Sequence, residues 1–131
     1  MDMRSLIVSI LMLSFAFYGC EKPAGEGGTS SITGKVLVNE YNVNSILIAQ
    51  YYSAREDVFI VYGNSIVYDD RMETHLDGTY EFKYLRKGSY QVFSYSDCDT
   101  CSSPRLAVLK DVEITDNNQQ VTIEDIIIDK R

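Results

Sequence analysis

The chain has no tryptophan, one histidine and three cysteines, which leaves few side chains for an active site. Basic residues are short as well: 12 Lys and Arg stand against 19 Asp and Glu, giving a net charge of −7 and a pI near 4.6. Phosphate binding needs clustered Lys and Arg, so this balance argues against nucleic acid as the main partner. No segment after Ser31 offers a helical apolar stripe, and no internal repeat is present. What remains is 131 residues, 45% hydrophobic and 24% charged. That mixture suits one globular domain and excludes a disordered or collagen-like chain.

The longest apolar run is Leu6–Tyr18, after a short polar start with a single cation at Arg4. At helical rise it would reach about 20 Å, short of a ~30 Å hydrocarbon core. That length suits the apolar region of a signal peptide. Gly19-Cys20 follows directly, and the chain then turns polar at Glu21-Lys22-Pro23. An apolar run, a small residue, a Cys and a polar stretch resemble the lipobox of a bacterial lipoprotein. In that family the Cys takes a diacylglyceryl group and becomes the new N-terminus, here Cys20. Phe17 and Tyr18 stand where the family usually carries Leu and a small residue. The alternative is an ordinary signal peptide or anchor with an incidental Cys. Residues 20–30 are expected to form the lipidated N-terminus and a flexible tether, since Pro23–Ser31 is rich in Gly, Ser and Thr. Nine such residues reach roughly 17 Å.

From Ser31 to Asp129 the pattern has period two, with turn signals about every ten residues. Strands are expected at Ile32–Val38, Ser45–Tyr52, Asp57–Tyr62, Arg71–Leu76, Thr79–Tyr84, Ser89–Tyr95, Leu106–Ile114 and Val121–Ile128, with Ser65–Tyr68 as a short extension. Asp77-Gly78 is the clearest local signal, a dipeptide that supplies the positive φ of a tight hairpin. After it Tyr80, Phe82 and Tyr84 alternate with Glu81 and Lys83, so the three rings are expected on one face. Seven or eight short strands without helices predict a small antiparallel β-sandwich over residues 31–131.

The stretch from Thr74 through Leu76-Asp77-Gly78-Thr79-Tyr80-Glu81-Phe82 to Leu85, Gly88, Tyr90 and Val92 resembles the core signature of carboxypeptidase regulatory-like domains, a transthyretin-like (prealbumin-like) group. Ile32-Thr33-Gly34-Lys35-Val36 resembles that family's first strand, and Val112–Ile114 with Val121–Ile128 its last two. The resemblance implies a seven-stranded Greek-key sandwich, a non-catalytic accessory or binding role and no peptidase activity. Arg55-Glu56-Asp57 replaces the family's Pro-rich lead into the third strand, and Ser96–Pro104 is an added loop. Lipobox and fold together resemble small envelope lipoproteins of Bacteroidota-type bacteria. They imply a cell-envelope location, anchored to the outer membrane ahead of the inner.

Cys98-Asp99-Thr100-Cys101 is the most suggestive constellation for chemistry. A redox pair would want a helix N-terminus, whereas Asp97 and Asp99 flank this motif and disfavour thiolate. Zinc would need two further ligands, and His75 alone cannot supply both. A disulfide fits best, because residues at i and i+3 in a tight turn lie within bonding reach and an exported protein meets oxidising surroundings. His75 reads as an exposed strand residue, and no motif sets a serine on a nucleophile elbow. Asp69-Asp70 and Asp97/Asp99 lack the ordered spacing of a Ca²⁺ loop. If Tyr90 and Val92 point inward, Phe93 and Tyr95 lie on an outer face beside Phe59 and Val61. An exposed aromatic patch of that kind marks a candidate binding surface; the alternative is two central strands covered by loops. The sequence therefore predicts a lipid-anchored binding or structural module, not an enzyme, with no cofactor. Its partners would be a membrane through the lipid and an envelope protein. The alternatives are a subunit of a larger envelope complex and, behind it, a thiol-redox or hydrolytic enzyme.

Overall fold

The computed structural model describes residues 22–131. The leader at 1–19 and the lipid-attachment candidate Cys20 lie outside the described residues. Nine strands form, and no helix appears among the described residues. They are β1 (Glu26–Tyr41), β2 (Leu47–Tyr52), β3 (Asp57–Tyr62), β4 (Asp70–Glu73), β5 (Thr79–Leu85), β6 (Gly88–Asp97), β7 (Arg105–Ile114), β8 (Gln120–Thr122) and β9 (Ile126–Lys130). They make two sheets, as the alternating pattern predicts: five strands gathered on β1, and four in the order β4-β3-β6-β7.

The sixteen-residue β1 organises the first sheet. Along one edge it pairs antiparallel with β5 and then β2. Along the other it pairs parallel with β8 and then β9. The single last strand expected at Val121–Ile128 is thus two short strands, and the sheet is not antiparallel throughout. At ~3.3 Å per residue β1 spans roughly 50 Å, which gives the molecule two distinct ends. The chain enters at one end, near Gly25, while the Cys98–Cys101 loop and the C-terminus lie at the other, where Arg131 ion-pairs with Asp99 at 3.0 Å.

Period-two alternation turns one face of each sheet inward. Ile32, Val36, Val38, Tyr80, Phe82, Leu85, Ile126 and Ile128 pack against Val58, Ile60, Tyr90, Val92, Val112 and Ile114. Burying a residue of this kind contributes about 1.5–3 kcal/mol.

Three further expectations differ from the structure. The stretch at 20–30 is no tether from Ala24 onward. Gly25 donates to the Tyr90 hydroxyl (2.9 Å), and Arg86 N donates to Gly25 O (2.8 Å). Glu26–Ser30 belongs to β1, so the domain starts before Ser31. Its small residues serve close backbone contact instead of flexibility: a Cβ on Gly28 would sit 2.0 Å from the Leu85 carbonyl oxygen. The Thr29 and Ser30 hydroxyls accept from the Asn118 and Gln119 amides. Second, Tyr84 does not share the face of Tyr80 and Phe82. Its φ of 59° makes a bulge that exposes its ring (71%) and delivers Leu85 to the core. Third, Asp77-Gly78 is a tight turn with Gly78 at φ 81°, yet it joins no hairpin pair. β4 pairs with β3 in one sheet and β5 with β1 in the other. Thr74 ties the crossing down, donating from its hydroxyl to Ser53 O (2.6 Å) and accepting from Glu56 N (3.0 Å).

Candidate binding face and cleft

Strand β6 supplies the site. Because Tyr90 and Val92 enter the core, Phe93 and Tyr95 stand on the outer face, and the β3–β6 register sets Phe59 directly opposite Phe93. All four predicted residues thus share one outer face. Phe59 and Phe93 stack with centroids 5.0 Å apart, and Tyr95 meets both edge-on at 5.5 Å. Such pairs add about 0.5–1.5 kcal/mol each beyond their burial.

The face is less open than an exposed patch would be. Phe59, Val61 and Phe93 retain only 7% exposure each and form a small second cluster with Ala107. Tyr95 alone of the four is exposed, at 41%. Part of the cover comes from Tyr68, whose ring lies 4.9 Å from Phe59. Tyr68 was expected on a strand extension; residues 63–69 form a loop instead, pinned where Tyr62 N donates to the Asp69 carboxylate at 2.7 Å. The bracketing Gly63-Asn64 and Asp69-Asp70 turn residues are the signal that could have identified it.

At its Tyr95 end the aromatic face borders a cleft of about 220 Å³. Arg55, Asp57, Asp97, Arg105 and Lys130 contribute to its walls together with Phe59 and Tyr95. Glu56 joins them, accepting from the Ser53 hydroxyl at 2.9 Å and pairing with Lys130. Arg71 holds Asp57 at 3.5 Å. Sequence reasoning missed this cleft because its residues come from the ends of β3, β6, β7 and β9, which only the fold brings together. It offers an aromatic edge, cations and carboxylates around one concavity, an arrangement that holds a polar ligand by hydrogen bonds against a ring.

The remaining predicted residues fall elsewhere. Cys98 and Cys101 form a disulfide, with Cα atoms 5.5 Å apart, in the loop joining β6 to β7. His75 is exposed beside the Asp77-Gly78 turn, away from the cleft. Among the described residues no three His, Cys, Asp or Glu side chains converge to hold a metal ion. Shifted protonation belongs to structural groups. Burial pushes the Tyr62 phenol up to about 12, helped by the Glu26 carboxylate, and burial also raises Tyr90. The Thr79 hydroxyl and amide hold the Asp77 carboxyl below its ordinary value.

No family model and no curated protein sequence matches the chain. Among solved structures it is similar to a Pseudomonas aeruginosa protein provisionally described as carbohydrate binding. That likeness has a TM-score of 0.47 at 12% identity, over 82% of this chain and 92% of the other. At that level it assigns no ligand.

Proposed function

We propose that this chain is a non-catalytic binding module of the carboxypeptidase regulatory-like kind, exported and fastened to a cell-envelope membrane through a lipidated Cys20. The observation that carries the reading is the ring pair of Phe59 and Tyr95, backed by Phe93, that lines the charged cleft. Rings already held in place lose little freedom when a ligand binds, so contact there is inexpensive in entropy. The cleft lies toward the end of β1 remote from the chain's entry, since Asp97 and Lys130 end strands that run away from Gly25. A membrane anchor at Cys20 would leave it facing outward.

Two measurements test this. A photo-crosslinking residue at Tyr95 in living cells should give one recurrent envelope product, whereas the same probe at the more exposed Tyr84 should not. Identical patterns at both positions would refute the binding face. An alkyne fatty acid should label the wild type and leave Cys20→Ala unlabelled; equal labelling would refute the anchor.

A further inference from the structure

The charges lining the cleft are unevenly matched. Elsewhere the cations of the domain are engaged: Arg71, Lys83, Lys110, Lys130 and Arg131 pair with carboxylates, Lys35 lies over the Tyr52 ring and Arg86 donates to Pro23 O. Arg55 and Arg105 both line the cleft, and neither side chain has a hydrogen bond or ion pair among the described residues. Carboxylates are not scarce in a chain of net charge −7. Arg105 even stands opposite Asp97 in the β6–β7 register, yet Asp97 accepts from the Arg131 amide at 3.1 Å. A guanidinium holds its N–H donors in a planar fork and stays charged at any ordinary pH. Two such forks on one concavity leave a surplus of donors for an anion.

The carboxylates of the cleft show the complementary pattern. Glu56 receives Ser53 and Lys130 on Oε1 alone, Asp57 receives Arg71 on Oδ1, and Asp97 uses Oδ2. Among the described residues the second oxygen of each takes no bond and is left to accept from a hydroxyl.

A ligand that meets both sets bears one anionic group and several hydroxyls. A singly charged carboxylate suits two guanidiniums set among three carboxylates, which would repel a phosphate group at about −2 more strongly. A protein's C-terminal carboxylate would satisfy the guanidiniums but brings few hydroxyls for the acceptors. A sugar ring brings hydroxyls at its edge and C–H groups on its face, which suit the half-exposed Tyr95. The volume of about 220 Å³ lies below the ~300–1,000 Å³ of pockets that enclose a whole small molecule, so the cleft has room for one ring with the rest of a chain running outward. We infer that the cleft binds one uronate residue of an acidic saccharide. Its carboxylate lies on Arg55 and Arg105, its hydroxyls on Glu56, Asp57 and Asp97, and its ring against Tyr95. This rests on the reading of the cleft as the binding site and needs neither the lipid nor the membrane.

The test is an NMR titration of the full-length chain in a non-ionic detergent with trigalacturonate, its methyl ester and a tripeptide with a free C-terminal carboxylate. Trigalacturonate should bind saturably and more weakly as salt is added, and the uncharged ester should bind about tenfold or more weakly than the acid. Arg55→Gln and Arg105→Gln should each weaken the acid by about tenfold and leave the ester unchanged, while Tyr95→Ala should weaken both. Both arginines are exposed, so their variants should melt as the wild type does. Equal binding of acid and ester, unchanged affinity in the arginine variants, or tighter binding of the tripeptide would overturn the uronate assignment. If trigalacturonate does not bind while Tyr95 still crosslinks to one envelope product, this inference falls and the binding reading stands; if the crosslink is absent too, both fall.

Discussion

Strand β6 carries two apolar faces that differ in kind. Tyr90 and Val92 are enclosed between the sheets, while Phe93, one residue further along, packs on the outer face against Phe59 and Tyr95, with Tyr68 against Phe59. The first face is closed by a second sheet with its own backbone ladder. The second is closed by side chains and the 63–69 loop, with no second sheet over it. Stability and binding are thus separated by one step of the pleat, and the same chemical deletion on each face should give different results.

Phe82→Ala and Phe93→Ala make that comparison directly. Phe82 sits in the inter-sheet core, so its removal leaves a cavity that two sheets cannot close, and a loss of about 3–5 kcal/mol is expected by denaturant unfolding. Phe93→Ala should cost less, about 2–3 kcal/mol, because the cavity opens beside the half-exposed Tyr95 instead of between two sheets. Equal losses would mean that the outer cluster is a second core instead of a yielding surface.

A smaller effect of opposite sign is expected at Tyr80. Its hydroxyl is buried against Gly34, where a Cβ would come within 2.5 Å of it, and it has no hydrogen-bond partner among the described residues. An unpaired buried hydroxyl costs stability, and burial drives the phenol's pKa upward for the same reason. Tyr80→Phe should therefore be neutral or stabilising by about 1 kcal/mol in thermal unfolding. A clear loss would show that the hydroxyl is satisfied in solution.

These contrasts also mark what the sequence could and could not reveal. The period-two pattern identified both sheets, and β3 spans Asp57–Tyr62 as the pattern predicts, because inward residues must be apolar wherever a sheet packs on a sheet. It placed Phe59, Val61, Phe93 and Tyr95 on one outer face for the same reason. Alternation failed at Tyr84, where a non-glycine residue at positive φ inserts a bulge that composition does not announce. Composition misled at Gly25–Ser30: small residues suit a linker, but they equally suit a backbone pressed against Leu85 and Arg86. The cleft was illegible because Arg55, Asp97, Arg105 and Lys130 are scattered along the chain and meet only through topology.

The smallest effect belongs to the Asp77 turn, where neither sheet's packing is at stake. Asp77 accepts from the Thr79 hydroxyl at 2.6 Å and from the Thr79 amide at 3.1 Å. Both bonds favour the ionised carboxyl, so its folded-state pKa lies below the ordinary 3.8. A group depressed in this way contributes stability that is fully present above its unfolded pKa and is lost as pH falls through the folded value. Asn keeps an acceptor for the turn but carries no titrating proton. The difference in melting temperature between wild type and Asp77→Asn should hence stay constant at neutral pH and shrink on the acid side, below about pH 4. The side chain is fully exposed to solvent, so the change should be small. A gap that widens with acidification would show that the hydrogen bonds to Thr79 do not hold the carboxylate in the folded protein.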